Sequence, residues 1–313
     1  MSQNIIEHLR QEAIQEIFKM KTFETAWAVW QKGIQGQISP LNANNVLNLG
    51  DNLGDIFRST GVAGRRQEDV STGGNVWEAL ICWYLNLCLV GSRTVVFKQK
   101  KALLPTPVRE ALTVSYGTFP SNTESDLIAI TFPEKSDYTS IDKHSISIRN
   151  DVGNLIPTLS GKKYNFLEIS NALLSRDFND LEIGVIQCKT NWNDNAQVPM
   201  LWDMIYSSSG FSRHSIVVGT SLYSIRDLKK FSYSFVTVPT VKMSKINHTS
   251  TCVRRVQNLS GGNYWGYPSR ASVANSIKDI FGRNFSSAST TSLAARLRVE
   301  LPNLRTTYSY FNI

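Results

Sequence analysis

Glu182-Ile-Gly-Val-Ile-Gln187-Cys-Lys189 is an apolar run that ends in polar groups, and Glu124-Ser-Asp126-Leu-Ile-Ala-Ile130 is an apolar run that an acid precedes. Both have the length and content of buried strands. Side chains two apart on a strand share a face, so Gln187 and Lys189 are expected to emerge together while Cys188 points into the opposite layer. Thr94 to Phe97, Ser215 to Val218 and Phe231 to Val238 read as strands too. Helical spacing falls between several of these runs, most clearly over Phe166 to Phe178 and Ala196 to Tyr206. The expected fold class is α/β, a central mixed β-sheet flanked by helices.

Upstream of the strands, Ser71-Thr72-Gly73-Gly74-Asn75 opens an apolar helix, Val76 to Leu89, in which Glu78 is the only charge. Residues 1–70 read as an N-terminal helical segment. There Ile6, Leu9, Ala13, Ile14, Ile17, Phe18, and then Phe23, Trp27 and Trp30, recur at helical spacing, which predicts two amphipathic helices with both tryptophans in the core. The Asn- and Gly-rich stretch from Gly33 to Gly64 reads as a connection. The core is expected over 71–240, with an insertion at 133–180 between the two strands quoted first. Residues 241–313 form a basic region expected to pack on that core. Its aromatic loop around Tyr264 and Trp265 reads as a packed turn, with contact to DNA as the weaker alternative.

A chain of 313 residues, 42% apolar and 19% charged, can bury a sizeable core and has little room for long disordered tracts. Its net charge of +8 agrees with a polyanionic partner without establishing one. Cys82, Cys88, Cys188 and Cys252 form no C-x-x-C pair and read as buried thiols, and the histidines lack zinc spacing. The most apolar stretch, Ala79 to Val90, is too short for a bilayer, and Met1-Ser-Gln-Asn-Ile-Ile lacks the features of a signal peptide. The expectation is a cytoplasmic protein with no membrane partner.

Phosphodiester hydrolysis needs a divalent cation to neutralise charge and a group to position water. Asp126 offers a carboxylate, Gln187 a neutral carbonyl oxygen, and Lys189 a positive charge near the water. Mg²⁺ prefers such hard oxygen ligands. In this order the chain resembles the PD-(D/E)xK nuclease superfamily in its Q-x-K form: an acid before one strand, Gln-x-Lys on the next, then a helix and an apolar strand, over roughly Gly73 to Gly219. The resemblance implies a restriction-endonuclease-like core and a Mg²⁺-dependent endonuclease acting on double-stranded DNA, with a sequence-specific type II restriction enzyme favoured. It places Asp126, Gln187 and Lys189 in the active site, the first two as metal ligands, and gives Glu78 the part of an upstream helical acid. It further implies a homodimer, so that two sites address two strands. A separate DNA methyltransferase would be needed, because no methyltransferase, helicase or P-loop text occurs here. The insertion lengthens a connection that is usually shorter in the family, which leaves Asp180 or Glu182 open in place of Asp126.

Near these residues, Lys98, Lys100 and Lys101 read as a phosphate grip or as a solvated basic turn. Asn191, Trp192 and Asn193, directly after the Gln-x-Lys strand, are candidates for DNA contact, and Asp194 or Asn195 for capping the next helix. The alternatives are a non-specific or ligand-activated antiphage or repair nuclease of the same fold, and an inactive DNA-binding protein.

Overall fold

The computed structural model describes residues 3–60, 67–121, 125–190, 196–239, 242–266, 273 and 277–313. Asn4 starts the first helix: its side chain accepts the Glu7 N–H at 2.9 Å, satisfying one of the donors that a helix N-terminus leaves over. Helices α1 (Ile5–Phe18) and α2 (Lys21–Gln37) bury Ile6, Leu9, Trp27 and Trp30. The stretch from Gly33, expected as a connection, is largely helical as far as residue 60. Within it α2 continues, and α3 (Ala43–Leu49) and α4 (Leu53–Arg58) follow. Val46, Leu49, Leu53, Ile56 and Phe57 are buried, so tertiary packing overrides the weak helix propensity of the Asn and Gly residues around them. Helix α5 (Gln67–Cys88) also begins earlier than expected, with Gly73 and Gly74 inside it.

Beyond α5 come β1 (Thr94–Lys98), α6 (Thr106–Leu112), the hairpin β2 (Val114–Tyr116) and β3 (Phe119–Ser121), and β4 (Leu127–Thr131). The insertion holds α7 (Ser136–Thr139), the short hairpin β5 (Leu159–Ser160) and β6 (Lys163–Tyr164), and α8 (Phe166–Arg176). Then follow β7 (Glu182–Lys189), α9 (Gln197–Ser208), β8 (Gly210–Phe211), β9 (Ile216–Val218) and β10 (Lys230–Thr237). The last elements are α10 (Thr251–Val256), β11 (Asn263–Tyr264), α11 (Lys278–Asn284) and α12 (Leu293–Glu300).

The central sheet runs β1-β4-β7-β10-β11. It is mixed: β1, β4 and β7 are antiparallel neighbours, while β7, β10 and β11 run parallel. The parallel step from β7 to β10 needs a crossover, and α9 lies in it. Val96, Leu127, Ala129, Ile186 and Val236 share one apolar cluster with α5, and Val95, Ile128, Ile183, Val185 and Phe235 share the other with residues of α1, α6 and α8. Strand β7 is covered on both faces, hence its near-continuous apolar text.

Ser215 to Val218, read as one of the strands around a central sheet, does not join the five-stranded sheet. Strand β9 belongs to a separate four-stranded sheet, β3-β2-β9-β8. The parallel neighbour of β7 is β10, which pairs along it from Lys230↔Glu182 to Thr237↔Lys189. Strand β9 is too short for that part and leaves Val217 exposed.

Two features tie the ends of the chain to the sheet. A methyl group at Gly54 would collide with the Gly266 carbonyl, so α4 meets the turn after β11 backbone to backbone. Tyr264 and Trp265 are buried, with the Tyr264 hydroxyl donating to the Gly50 carbonyl at 2.7 Å and Trp265 Nε1 to Asn263 at 3.1 Å; the aromatic loop is a packed turn at these positions. The four cysteines are buried and free, and burial pushes the thiols of Cys82 and Cys88 up to about 12. No helix among the described residues is long and apolar enough to cross a membrane.

At the start of the sheet, fully buried Arg10 donates to the carbonyls of Thr94 at 2.8 Å and Ser92 at 3.0 Å and pairs with Glu7 at 3.0 Å. Arg10→Met strands the Glu7 charge and those carbonyls, so it is expected to cost about 3–5 kcal/mol, read as a shifted midpoint in chemical denaturation.

Candidate active site

Strand β4 begins at Leu127, whose partner on β7 is Ile186. Asp126 stands just outside that pairing. Its main-chain carbonyl accepts the Gln99 N–H at 3.1 Å, which holds the backbone in line with β1, and its Oδ2 accepts the Cys188 N–H at 2.7 Å. The carboxylate thus serves a β7 backbone donor at a point where β4 has ended. Lys189 Nζ lies 3.9 Å from the same oxygen. The two side chains are partly exposed, 13% for Asp126 and 25% for Lys189, so solvent reaches the pair.

From α5, Glu78 forms an ion pair with Lys98, the last residue of β1. Lys98 Nζ also donates to Asn75 Oδ1 at 3.0 Å, one helical turn before Glu78. Burial raises the Glu78 carboxyl above its ordinary range; the Lys98 ammonium works against that shift, and the Asp126 charge adds to it. Lys189 acts on Glu78 as well. Two carboxylates and two ammonium groups therefore form one electrostatic neighbourhood at the end of β1, β4 and β7.

Gln187 is placed differently from the expectation that it would emerge beside Lys189. It is fully buried, and its Oε1 accepts the Tyr233 hydroxyl at 3.0 Å. The reason is β10: its parallel pairing brings Tyr233 alongside, and a buried hydroxyl requires a partner.

The other acids are elsewhere. Asp180 pairs with Lys135 at 2.7 Å, and Glu182 pairs with Lys229 at 3.2 Å and bonds to Ser287. Glu182 opens β7 and Lys189 closes it, which puts them roughly 23 Å apart at 3.3 Å per residue. Of the candidates Asp126, Asp180 and Glu182, Asp126 is therefore the acid that this fold brings to Lys189.

Neither a family model nor a curated protein matches this chain.

Of the remaining lysines, Lys100 pairs with Glu16 of α1, and Lys101 is exposed without an ion pair among the described residues. Asn191, Trp192 and Asn193 lie outside the described residues. Two features escaped the sequence reading. One is the part of Lys98, although β1 and β7 both are apolar strands ending in lysine, a parallel visible in the text. The other is a row across the small sheet, where register aligns Phe119, Tyr116, Ile216 and Phe211, with Tyr116 and Phe119 among the most exposed apolar side chains of the molecule. Only pairing between strands far apart in sequence creates that row. Arg213 and His214 are exposed between β8 and β9, and neither 113–121 nor 209–219 contains a carboxylate.

Among the described residues, no group of three or more His, Cys, Asp or Glu is placed to hold a metal ion. Among the described residues the oxygen donors at hand are the carboxylates of Asp126 and Glu78; Gln187, expected as a ligand beside Asp126, is buried with its Oε1 on the Tyr233 hydroxyl. That set fits Mg²⁺, which takes one or two protein carboxylates together with water and phosphate oxygens, and does not suit zinc, which favours nitrogen and sulfur.

Proposed function

We propose that the protein is a Mg²⁺-dependent endonuclease of the PD-(D/E)xK type, with a restriction-endonuclease-like core, that hydrolyses double-stranded DNA as a type II restriction enzyme. The observation that carries this reading is the meeting of Asp126 with β7, where one carboxylate oxygen takes the Cys188 N–H and stands 3.9 Å from Lys189 Nζ. The chain order supports it, because the acid-bearing helix α5, the acid-first strand β4, the Gln-x-Lys strand β7, the helix α9 and the parallel strand β10 occur in that sequence, with other elements between them. The net charge of +8 and the carboxylate-free small sheet with Arg213 and His214 suit a polyanionic duplex.

In this reading Asp126 and Glu78 would hold the cation, which when bound neutralises charge on the scissile phosphate. Lys189 places its positive charge beside the attacking water, where it favours loss of the water's proton, and donates to the charge that builds on the phosphate oxygens. The water oxygen forms the new P–O bond and gives up one proton to solvent, one bridging P–O bond breaks, and the leaving oxygen takes up a proton from solvent. Gln187, held by Tyr233, fixes the strand that presents Lys189. Among the described residues a single chain carries one such set, and a homodimer, as the resemblance implies, would address the two strands with two of them. A separate DNA methyltransferase would then protect the host.

The test is incubation of the purified chain with phage and plasmid DNA in Mg²⁺ or in EDTA. Discrete Mg²⁺-dependent fragments are expected; a smear would replace the restriction enzyme by a non-specific nuclease, and intact DNA under every condition would overturn the enzymatic reading.

A further inference from the structure

Among the described residues, Lys98 is the one charged group at this site to which the proposed mechanism gives no part. It closes β1, its ammonium sits on the Glu78 carboxylate, and Asn75 holds it there from the preceding turn of α5. Both partners are largely shielded, with 19% of the Lys98 side chain and 16% of Glu78 exposed. An ion pair in such a place is screened much less than one in open water. The ammonium takes one carboxylate oxygen, Oε2, so a divalent cation binding the same carboxylate meets a positive charge already seated on it and competes with it.

We infer that Lys98 is a gate for the cation: it occupies Glu78 until a divalent ion displaces it, so that ion binding and release of the Lys98 ammonium are one coupled event. The inference rests on Glu78 serving the proposed metal site and adds a residue that sets its affinity. The geometry favours an exchange over simple addition. With Glu78, Asp126, Lys98 and Lys189 together the site is neutral in formal charge, and an added Mg²⁺ would meet two ammonium groups. Displacing Lys98 removes one of them from the carboxylate that the ion needs. The freed ammonium, tethered at the end of β1, is then available to a phosphate oxygen, where lysine acts as a flexible point charge. Weak ion binding by the protein alone follows, as does stronger binding once a phosphate receives Lys98.

The experiment is a Mn²⁺ titration of the full chain without DNA, followed by the electron paramagnetic resonance of the free ion. Lys98→Gln is expected to bind Mn²⁺ about tenfold more tightly than the wild type, a factor equal to ~1.4 kcal/mol. Lys100→Gln, which removes a charge engaged by Glu16, is expected to change affinity less than about twofold, as an exposed pair should. In the double variant with Glu78→Gln the gain should vanish, because the gated carboxylate is gone. Acetylation of Lys98 in the wild type, read by mass spectrometry, should accelerate when Mn²⁺ is added; this arm needs no variant to fold. Equal Mn²⁺ affinity of Lys98→Gln and wild type, or a Lys98 acetylation rate indifferent to Mn²⁺, would overturn the gate while leaving the metal site standing. No Mn²⁺ binding by any form would overturn the site and the gate together.

Discussion

Lys189→Met is expected to lower Mg²⁺-dependent cleavage of duplex DNA by roughly a hundredfold to a thousandfold, the usual loss when one donor to a developing oxyanion is removed. Methionine keeps most of the apolar stem, so packing at the end of β7 is preserved. The pair with Asp126 is partly exposed and 3.9 Å long, and its removal should cost no more than about 1 kcal/mol of stability. DNA binding measured in Ca²⁺ should stay within a few fold of wild type, since many other contacts to phosphate carry affinity. A variant that still cuts within tenfold of the wild-type rate would remove Lys189 from the machinery, and with it the central part of the proposed mechanism.

Substitution of Asp126 separates chemistry from architecture, because this side chain has a task in each. Its Oδ2 accepts the Cys188 N–H at 2.7 Å, a charge-assisted bond that holds β7 where β4 has ended. Asp126→Ala leaves that donor without its acceptor and is expected to cost about 1–3 kcal/mol in urea denaturation, besides abolishing cleavage. Asp126→Asn keeps a side-chain oxygen for the Cys188 N–H, so most of that stability should return. Cleavage should not return, since a neutral amide is a poor replacement for a carboxylate at a Mg²⁺ ion. An active Asp126→Asn enzyme would place the metal carboxylate elsewhere, and equal stability of the two variants would show that the bond to Cys188 carries no weight.

The strands that matter were legible as text. Leu127 to Thr131 and Glu182 to Lys189 are apolar runs bounded by polar residues, and burial on both faces of a sheet demands such runs wherever they pair. The two amphipathic N-terminal helices and α8 followed from spacing, because the helical period alone aligns their apolar faces. Asp126, Gln187, Lys189 and Glu78 could be singled out for their chemistry and their order along the chain. That is as far as local pattern reaches.

Which of these groups meet is a property of pairing between distant segments. The antiparallel register of β4 on β7 brings Asp126 to Lys189 and leaves Asp180 and Glu182 at the far end. The parallel docking of β10 buries Gln187 against Tyr233, and the packing of α5 against β1 sets Lys98 on Glu78. Helices α3 and α4 form where the local text is rich in Asn and Gly, because burial against the rest of the chain repays their poor propensity. The long apolar strands, the amphipathic helices and the chemically able side chains were within reach of local pattern, since those depend on residues within a few positions of one another. Only the tertiary structure decided the partners, because a strand's neighbour and a charge's counter-charge are chosen among residues tens of positions away, by the burial of surfaces that no short window contains.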